Sequence, residues 1–122
     1  MIRVKRIYDP PSGEDGYRIL VDRLWPRGLS KEKAKVDLWM RDISPSTELR
    51  KWYSHDPGKW AAFQKRYAEE LAEKRAVTER AKDLEAEQGT VTLLYSSKEE
   101  KYNNAVALKI MLSRGKSGSR SG

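Results

Sequence analysis

Residues 90–95, TVTLLY, are the most continuous apolar and β-branched run in the chain. The apolar residues of this run do not alternate with polar ones, so a strand formed here is covered on both faces. A strand of that kind lies in the interior of a sheet and is typical of parallel pairing. The run therefore predicts the central strand of a sheet, with a parallel neighbour.

Helical patterns flank this strand on both sides. Upstream, apolar residues recur at three- and four-residue spacing, namely Trp60, Phe63, Tyr67 and Leu71. A second helix is predicted over residues 77–87 and ends before Gly89. Downstream, Ser97 and Glu100 have the spacing of a capping box and predict the start of a last helix. The central strand therefore has helices available to cover it.

Two further strands are predicted in the N-terminal part of the chain. Residues 2–8 form a short strand that stops at the sequence DPP, residues 9–11. Residues 17–24 form an alternating strand that ends at Pro26 and Gly28. The connection between these strands is short, and a parallel crossover needs about a dozen residues or more. An antiparallel, hairpin-like pairing is therefore favoured.

The order of these elements predicts an α/β fold. We expect a single compact domain over residues 1–112, with a small mixed or parallel sheet and helices packed on it. Residues 36–40 could supply a third N-terminal strand, and the helix that follows is expected to enter through Ser44 with Pro45 in its first turn. Residues 113–122 are basic and rich in Gly and Ser, which predicts a disordered tail.

Composition limits the classes of function. The formal net charge is +7, but removal of the three basic residues of the tail leaves 22 basic against 18 acidic residues. The body is thus only mildly basic, which weakens a nucleic-acid interpretation without removing it. Cysteine is absent, which excludes disulfides and thiol nucleophiles. No apolar run approaches the ~18–20 residues of a membrane span, so we expect a cytoplasmic protein without membrane contact.

The end of the strand over residues 17–24 carries a dense polar constellation. Asp22, Arg23, Trp25, Arg27 and Gly28 follow one another within seven positions. Two guanidiniums can hold a phosphate or carboxylate, an indole can stack on a ring, and a glycine allows close backbone approach to a ligand. The structural alternative is an Asp–Arg salt bridge, a core tryptophan and a plain turn.

Two residues are candidates for acid–base chemistry. His55 is the only histidine, although a histidine just before a helix start is more often a surface or capping residue. Asp9 would share an edge with Arg27 if the first two strands ran parallel, but an Asp before Pro more often caps a turn. One histidine, no cysteine and no clustered acids argue against a metal site, and nothing indicates a cofactor.

Asn103 and Asn104 are the last polar candidates for the site. They enter the final helix shortly after the central strand, where side-chain amides can hydrogen-bond a ligand. Plain helix capping is the structural alternative.

Three segments of the chain resemble the YeaO-like family of uncharacterised bacterial proteins, domain of unknown function 488. They are residues 8–34, 44–60 and 91–109, and the string VDRLWPRG at residues 21–28 is the most specific of the matching motifs. The resemblance implies a compact α/β fold and brings no established activity. A broader branch of the superfamily carries cysteine and histidine at the final strand and helix. Here those positions read YSS, residues 95–97, and YNN, residues 102–104, so no thiol mechanism carries over.

Two classes of function remain. The favoured prediction is binding of a small phosphate- or carboxylate-bearing ligand at a pocket formed by the arginine–tryptophan cluster and the start of the final helix. The alternative is a nucleic-acid-binding module that uses the basic surface and tail. A scaffold domain without a ligand is the third possibility. The sequence contains no nucleophile–base pair and no phosphate-binding glycine motif, so it does not assign an enzyme class. It does not assign an oligomeric state either.

Overall fold

A computed structural model describes residues 1–54 and 56–121, with side chains up to residue 114. This part of the chain contains four strands and five α-helices. In chain order they are β1 (Ile2–Arg6), β2 (Tyr17–Leu20), α1 (Lys31–Ala34), β3 (Leu38–Trp39), α2 (Thr47–Tyr53), α3 (Trp60–Ala72), α4 (Arg75–Gln88), β4 (Val91–Tyr95) and α5 (Asn104–Ser121). Short 3₁₀ turns occur at Gly13–Asp15, Arg41–Ile43 and Pro57–Lys59.

The four strands form one parallel sheet in the order β1-β4-β2-β3. All five residues of β4 are buried, and Leu93 pairs with Val4 of β1 on one side and with Ile19 of β2 on the other. The prediction of a central strand with parallel neighbours is therefore confirmed. The predicted class, an α/β domain with helices packed on a small sheet, is confirmed as well.

The predicted hairpin of the first two strands is wrong. β1 and β2 do not pair, because β4 lies between them and pairs in parallel with both. The connection over residues 7–16 instead crosses one face of the sheet, where the Thr92 hydroxyl donates to the carbonyl oxygen of Asp15 at 2.6 Å. The reason is the apolar character of β4, which has to be covered on both edges and both faces. β4 therefore takes the position between β1 and β2, and those two strands cannot pair with each other.

The two faces of the sheet are covered differently. Helices α2, α3, α4 and α5 pack on one face and form the main core, which includes Ile19, Leu93, Phe63 and Leu108. The other face has a smaller cluster covered by loops and α1. Its members are Ile7, Leu20, Ala34 and Leu94, with Trp25, Leu29, Val36 and Trp39 packed against them. The segment between β2 and β3 thus packs on the face of the sheet that carries the smaller cluster, which we call the thinner face.

Two helix starts differ from their predicted positions. The N-cap of α2 is Ser46, whose hydroxyl accepts from the N–H of Leu49 at 3.1 Å, whereas Ser44 closes the preceding 3₁₀ turn. The last helix is capped by Asn103 and not by Ser97. Both errors arise because serine also closes turns: Ser44 ends the 3₁₀ turn, and the Ser97 hydroxyl accepts from the N–H of Glu99 at 2.9 Å before the helix begins.

The disordered tail predicted for residues 113–122 lies almost entirely outside the residues whose side chains are described, and it stays a prediction. Within the described chain, no helix is long and apolar enough to cross a membrane.

Candidate functional site

The carboxyl ends of β1, β4 and β2 meet at one edge of the sheet because the three strands are parallel. Three segments follow at this edge: residues 7–9, residues 96–98 and residues 21–28. In open α/β sheets, ligands bind in crevices outside the carboxyl ends of the strands. Two adjoining clefts open at this edge, and we describe them in turn.

The first, which we call the cationic cleft, has a volume of about 430 Å³. Four of its lining side chains are positively charged: Arg6, Arg27, Arg50 and Lys98. Among the described residues, none of the four forms a salt bridge with a carboxylate. Asp22 is the one acid among the described residues that line it. The cleft is therefore a concave surface with an excess of positive charge.

Asp22 offsets one of the four positive charges, but it forms no salt bridge with them among the described residues, because neutral hydrogen-bond donors of the protein engage its carboxylate. Oδ2 accepts from the N–H and the hydroxyl of Ser96, and Oδ1 accepts from the Asn104 amide at 3.3 Å. The same amide donates to the carbonyl oxygen of Val21 at 3.0 Å. The carboxylate thus joins the end of β2 to the end of β4 and to the first turn of α5.

Arg6 is held in place at the end of β1. Its Nε donates to the carbonyl oxygen of Ser97 at 3.0 Å, and its guanidinium carbon lies 4.7 Å from the centroid of the Tyr8 ring. The Tyr8 hydroxyl donates to the carbonyl oxygen of Arg27 at 2.8 Å. These contacts connect the loops after β1, β4 and β2 around the cationic cleft. The two terminal nitrogens of Arg6 have no hydrogen-bond partner among the described residues.

The second cleft, which we call the aromatic cleft, has a volume of about 410 Å³. Its apolar lining consists of Leu24, Pro45, Tyr53 and Phe63, and the rings of the last two stack with centroids 4.2 Å apart. The two clefts have four lining residues in common, Asp22, Leu24, Arg50 and Ser96. They are therefore adjoining parts of one surface depression.

The phenol of Tyr53 stays neutral at the aromatic cleft. Burial, followed by the nearby acids Glu99 and Asp56, raises the pKa of Tyr53 to about 12. Its hydroxyl donates to the carbonyl oxygen of Tyr102 at 2.7 Å. The ring is thus an apolar wall at physiological pH and carries no charge that would repel an anion.

Three of the residues predicted from the strand end lie at the cationic cleft or beside it. Arg27 and Trp25 line it. The Trp25 indole N–H donates to the carbonyl oxygen of Leu29 at 2.7 Å, and the ring packs edge-on against Trp39, so much of this side chain serves the smaller core. Gly28 adopts a φ of 75°, with open space where a Cβ would point. The turn therefore requires glycine for its backbone conformation.

The remaining predicted ligand-binding residues have other surroundings. Arg23 lines neither cleft, and one of its terminal nitrogens lies 3.5 Å from the carbonyl oxygen of Pro45. Its Nε is buried without a hydrogen-bond partner among the described residues. Asn103 is buried, and it caps α5 by accepting from the N–H of Val106 at 2.9 Å. Asn104 lines the aromatic cleft.

Of the two candidates for acid–base chemistry, the structure describes only Asp9, which lines neither cleft. Asp9 is exposed in the turn after β1, where its N–H donates to the carbonyl oxygen of Arg6 at 3.0 Å. His55 lies outside the described residues. Among the described side chains, no group of three His, Cys, Asp or Glu residues is placed to hold a metal ion.

Three cationic residues of the site were not anticipated from the sequence: Arg6, Arg50 and Lys98. They come from β1, α2 and the loop after β4, which are far apart along the chain. Arg6 had a detectable signal, since a parallel β1 would have placed its carboxyl end beside that of β2. No sequence pattern indicated Arg50 or Lys98, because most arginine and lysine residues are exposed whether or not they bind a ligand.

Comparison with known proteins places the sequence of this chain in a family. A family model described as the inactive DUF488-N3 subclade matches residues 1–119. The chain is 46% identical over 107 residues to the uncharacterised protein YeaO of Escherichia coli strain K12, which covers 88% of this chain and 92% of YeaO. It is 45% identical over 78 residues to an uncharacterised protein of Mycobacterium tuberculosis strain H37Rv, which covers 64% of this chain and 66% of that protein. No solved structure matches.

Proposed function

The chain belongs to the DUF488 family, in the branch described as the inactive DUF488-N3 subclade, and from that premise we propose that it binds a small anionic ligand. The ligand carries a phosphate or carboxylate group, and the cationic cleft holds it. A cytosolic location is part of the proposal.

One observation carries the proposal. Arg6, Arg27, Arg50 and Lys98 line one cleft and have no carboxylate partner among the described residues. Like charges gathered at one concave surface repel one another, and the walls of a cleft strengthen their field relative to open water. An anion relieves that repulsion and gains charge-assisted hydrogen bonds, which are about twice as strong as neutral ones.

The chemistry of the lining favours binding over turnover. The carboxylate of Asp22 already accepts from Ser96 and Asn104, so it is a poor general base. The chain has no cysteine that could act as a nucleophile. Among the described residues that line the cationic cleft there is no free acid–base pair, and the matching family model is described as an inactive subclade.

The shape of the site also favours a small ligand over a nucleic acid. The cations lie around a recess of about 430 Å³, within the ~300–1,000 Å³ range of small-molecule sites. A duplex backbone would instead need a basic stripe along the surface. The nucleic-acid alternative stays a prediction, and it requires an affinity for RNA or DNA that falls steeply with salt.

Isothermal titration calorimetry with inorganic phosphate, pyrophosphate and citrate tests the proposal. We expect at least one of these anions to bind the wild-type protein, and Arg27→Ala or Arg50→Ala to raise its Kd by about tenfold, or 1.4 kcal/mol. Arg80→Ala is the matched control, because this arginine is exposed on α4 and lines neither cleft. The proposal fails if no anion binds, or if all three variants weaken binding equally.

A further inference from the structure

The aromatic cleft adjoins the anion site and differs from it in chemistry. We propose that the ligand is a phosphate ester with an aromatic ring in its organic part: the cationic cleft holds the phosphate and the aromatic cleft holds the ring. This inference rests on the proposed function and names the ligand class of the same site.

The two clefts are continuous at Leu24 and Arg50, which line both. A phosphate group alone fills only part of a 430 Å³ cleft and leaves the neighbouring 410 Å³ empty. A ligand that extends across Leu24 occupies both. The size of the combined site thus points to an organic group attached to the anion.

The exposed apolar side chains of the protein are concentrated here. Among the described residues, Met1, Tyr8 and Leu24 are the large hydrophobic residues that are exposed, and the last two line the cationic cleft. Leu24 is 69% exposed although it lies between two recesses. Burial of apolar surface stabilises a complex by roughly 25 cal/mol per Å², so a ligand with an apolar part gains from covering this side chain.

The remaining lining favours an aromatic ring over an aliphatic group. Arg50 and Lys51 are exposed at the aromatic cleft, and neither has a carboxylate partner among the described residues. Guanidinium and ammonium groups are attracted to the face of an aromatic ring but not to an aliphatic one. The hydroxyls of Thr47 and Ser54 also line the cleft and can hydrogen-bond heteroatoms on the ring.

A series of matched phosphate esters tests the inference by calorimetry on the full chain: methyl, cyclohexyl and phenyl phosphate, with inorganic phosphate as reference. We expect phenyl phosphate to bind at least tenfold more tightly than methyl phosphate and more tightly than cyclohexyl phosphate. Leu24→Ser should lower the ratio of the methyl phosphate Kd to the phenyl phosphate Kd, whereas Leu24→Met should keep that ratio. Because Leu24 is exposed, we expect both variants to fold like the wild type, so a changed affinity would not reflect a loss of folding.

The outcomes separate this inference from the proposed function. Equal affinities for methyl and phenyl phosphate, with Arg27→Ala still weakening both, would overturn the aromatic assignment and leave the anion site standing. Equal affinities for cyclohexyl and phenyl phosphate would overturn the assignment of an aromatic ring. Failure of all four compounds to bind, while pyrophosphate or citrate still binds, would overturn this inference and leave the anion site standing.

Discussion

Asp22 Oδ2 accepts two hydrogen bonds from Ser96, one from its N–H at 2.8 Å and one from its hydroxyl at 2.7 Å. The pair joins the chain after β2 to the chain after β4, at the edge where the two clefts open. Because Asn104 supplies a further donor to Oδ1, the carboxylate accepts from two other segments, the chain after β4 and the first turn of α5. Asp22 is therefore a structural residue in the middle of a cationic site.

Asp22→Ala should lower the free energy of unfolding by about 1–3 kcal/mol, because it removes the acceptor of the Ser96 N–H and hydroxyl and one of the two acceptors of the Asn104 amide. Ser96→Ala should have a smaller effect of about 1 kcal/mol, since it removes one of these hydrogen bonds. Urea unfolding followed by circular dichroism measures both. Asp83→Ala, at an exposed position on α4, is the control, and an equal effect of Asp22→Ala and Asp83→Ala would contradict the structural role.

Removal of two cations from the cleft should not destabilise the ligand-free protein. Arg27 and Arg50 are exposed and have no carboxylate partner among the described residues, so Arg27→Gln/Arg50→Gln relieves repulsion without breaking an ion pair. We expect a change in unfolding free energy within about 0.5 kcal/mol, with any gain largest at low salt. Thermal unfolding at two ionic strengths measures this, and a clear loss of stability would show that these arginines have a structural role.

Two glycines at positive φ should respond differently to substitution. A Cβ at Gly16 would lie 2.3 Å from the carbonyl oxygen of Thr90, whereas a Cβ at Gly28 would meet nothing within 4 Å. Gly28→Ala therefore carries mainly the left-handed backbone penalty of about 1–2 kcal/mol. Gly16→Ala adds a backbone clash and should exceed that loss. Urea unfolding of both variants checks the order, and equal losses would argue against the close approach of Gly16 to Thr90.

The sequence was informative where one physical requirement dominated. The apolar run TVTLLY can only be covered as a central strand, so the position and parallel pairing of β4 were predictable. The pairing of β1 was not, because a short connection usually makes a hairpin and the sequence does not show that β4 would occupy the position between the strands. That one error also concealed Arg6, since a hairpin places the carboxyl end of β1 away from that of β2.

The candidate site was predictable only in part, for a similar reason. Trp25 and Arg27 both follow β2 within a few residues, and they line the same cleft in the structure. Arg50 and Lys98 reach the same cleft from α2 and from the loop after β4, a convergence that depends on tertiary packing. The role of Asp22 was missed because its acceptor function depends on donors more than 70 positions away.

A buried ion pair on the thinner face of the sheet makes stability depend on pH. Asp15 and Arg18 form a salt bridge, both are almost fully buried, and Lys5 Nζ lies 3.2 Å from the Asp15 carboxylate. Burial alone would raise the pKa of Asp15, but hydrogen bonds from the Ser12 N–H, Lys5 and Arg18 outweigh it and lower the pKa below its ordinary value of 3.8. The folded state therefore holds this proton less tightly than the unfolded state.

That direction fixes the sign of the expected pH profile. Because the folded pKa of Asp15 is lowered, its stabilising contribution is complete above the ordinary pKa of 3.8 and is lost as the pH falls through the lower folded value. Asp15→Asn should therefore destabilise the protein by about 3–5 kcal/mol near pH 7, since it leaves Arg18 buried without its partner, and by less in acid. Urea unfolding between about pH 7 and pH 3 measures the two curves. If the unfolding free energies of wild type and variant changed with pH in parallel, protonation of Asp15 would not be coupled to folding. Glu14→Gln changes the exposed neighbour and is the control, which should keep the wild-type dependence of unfolding free energy on pH.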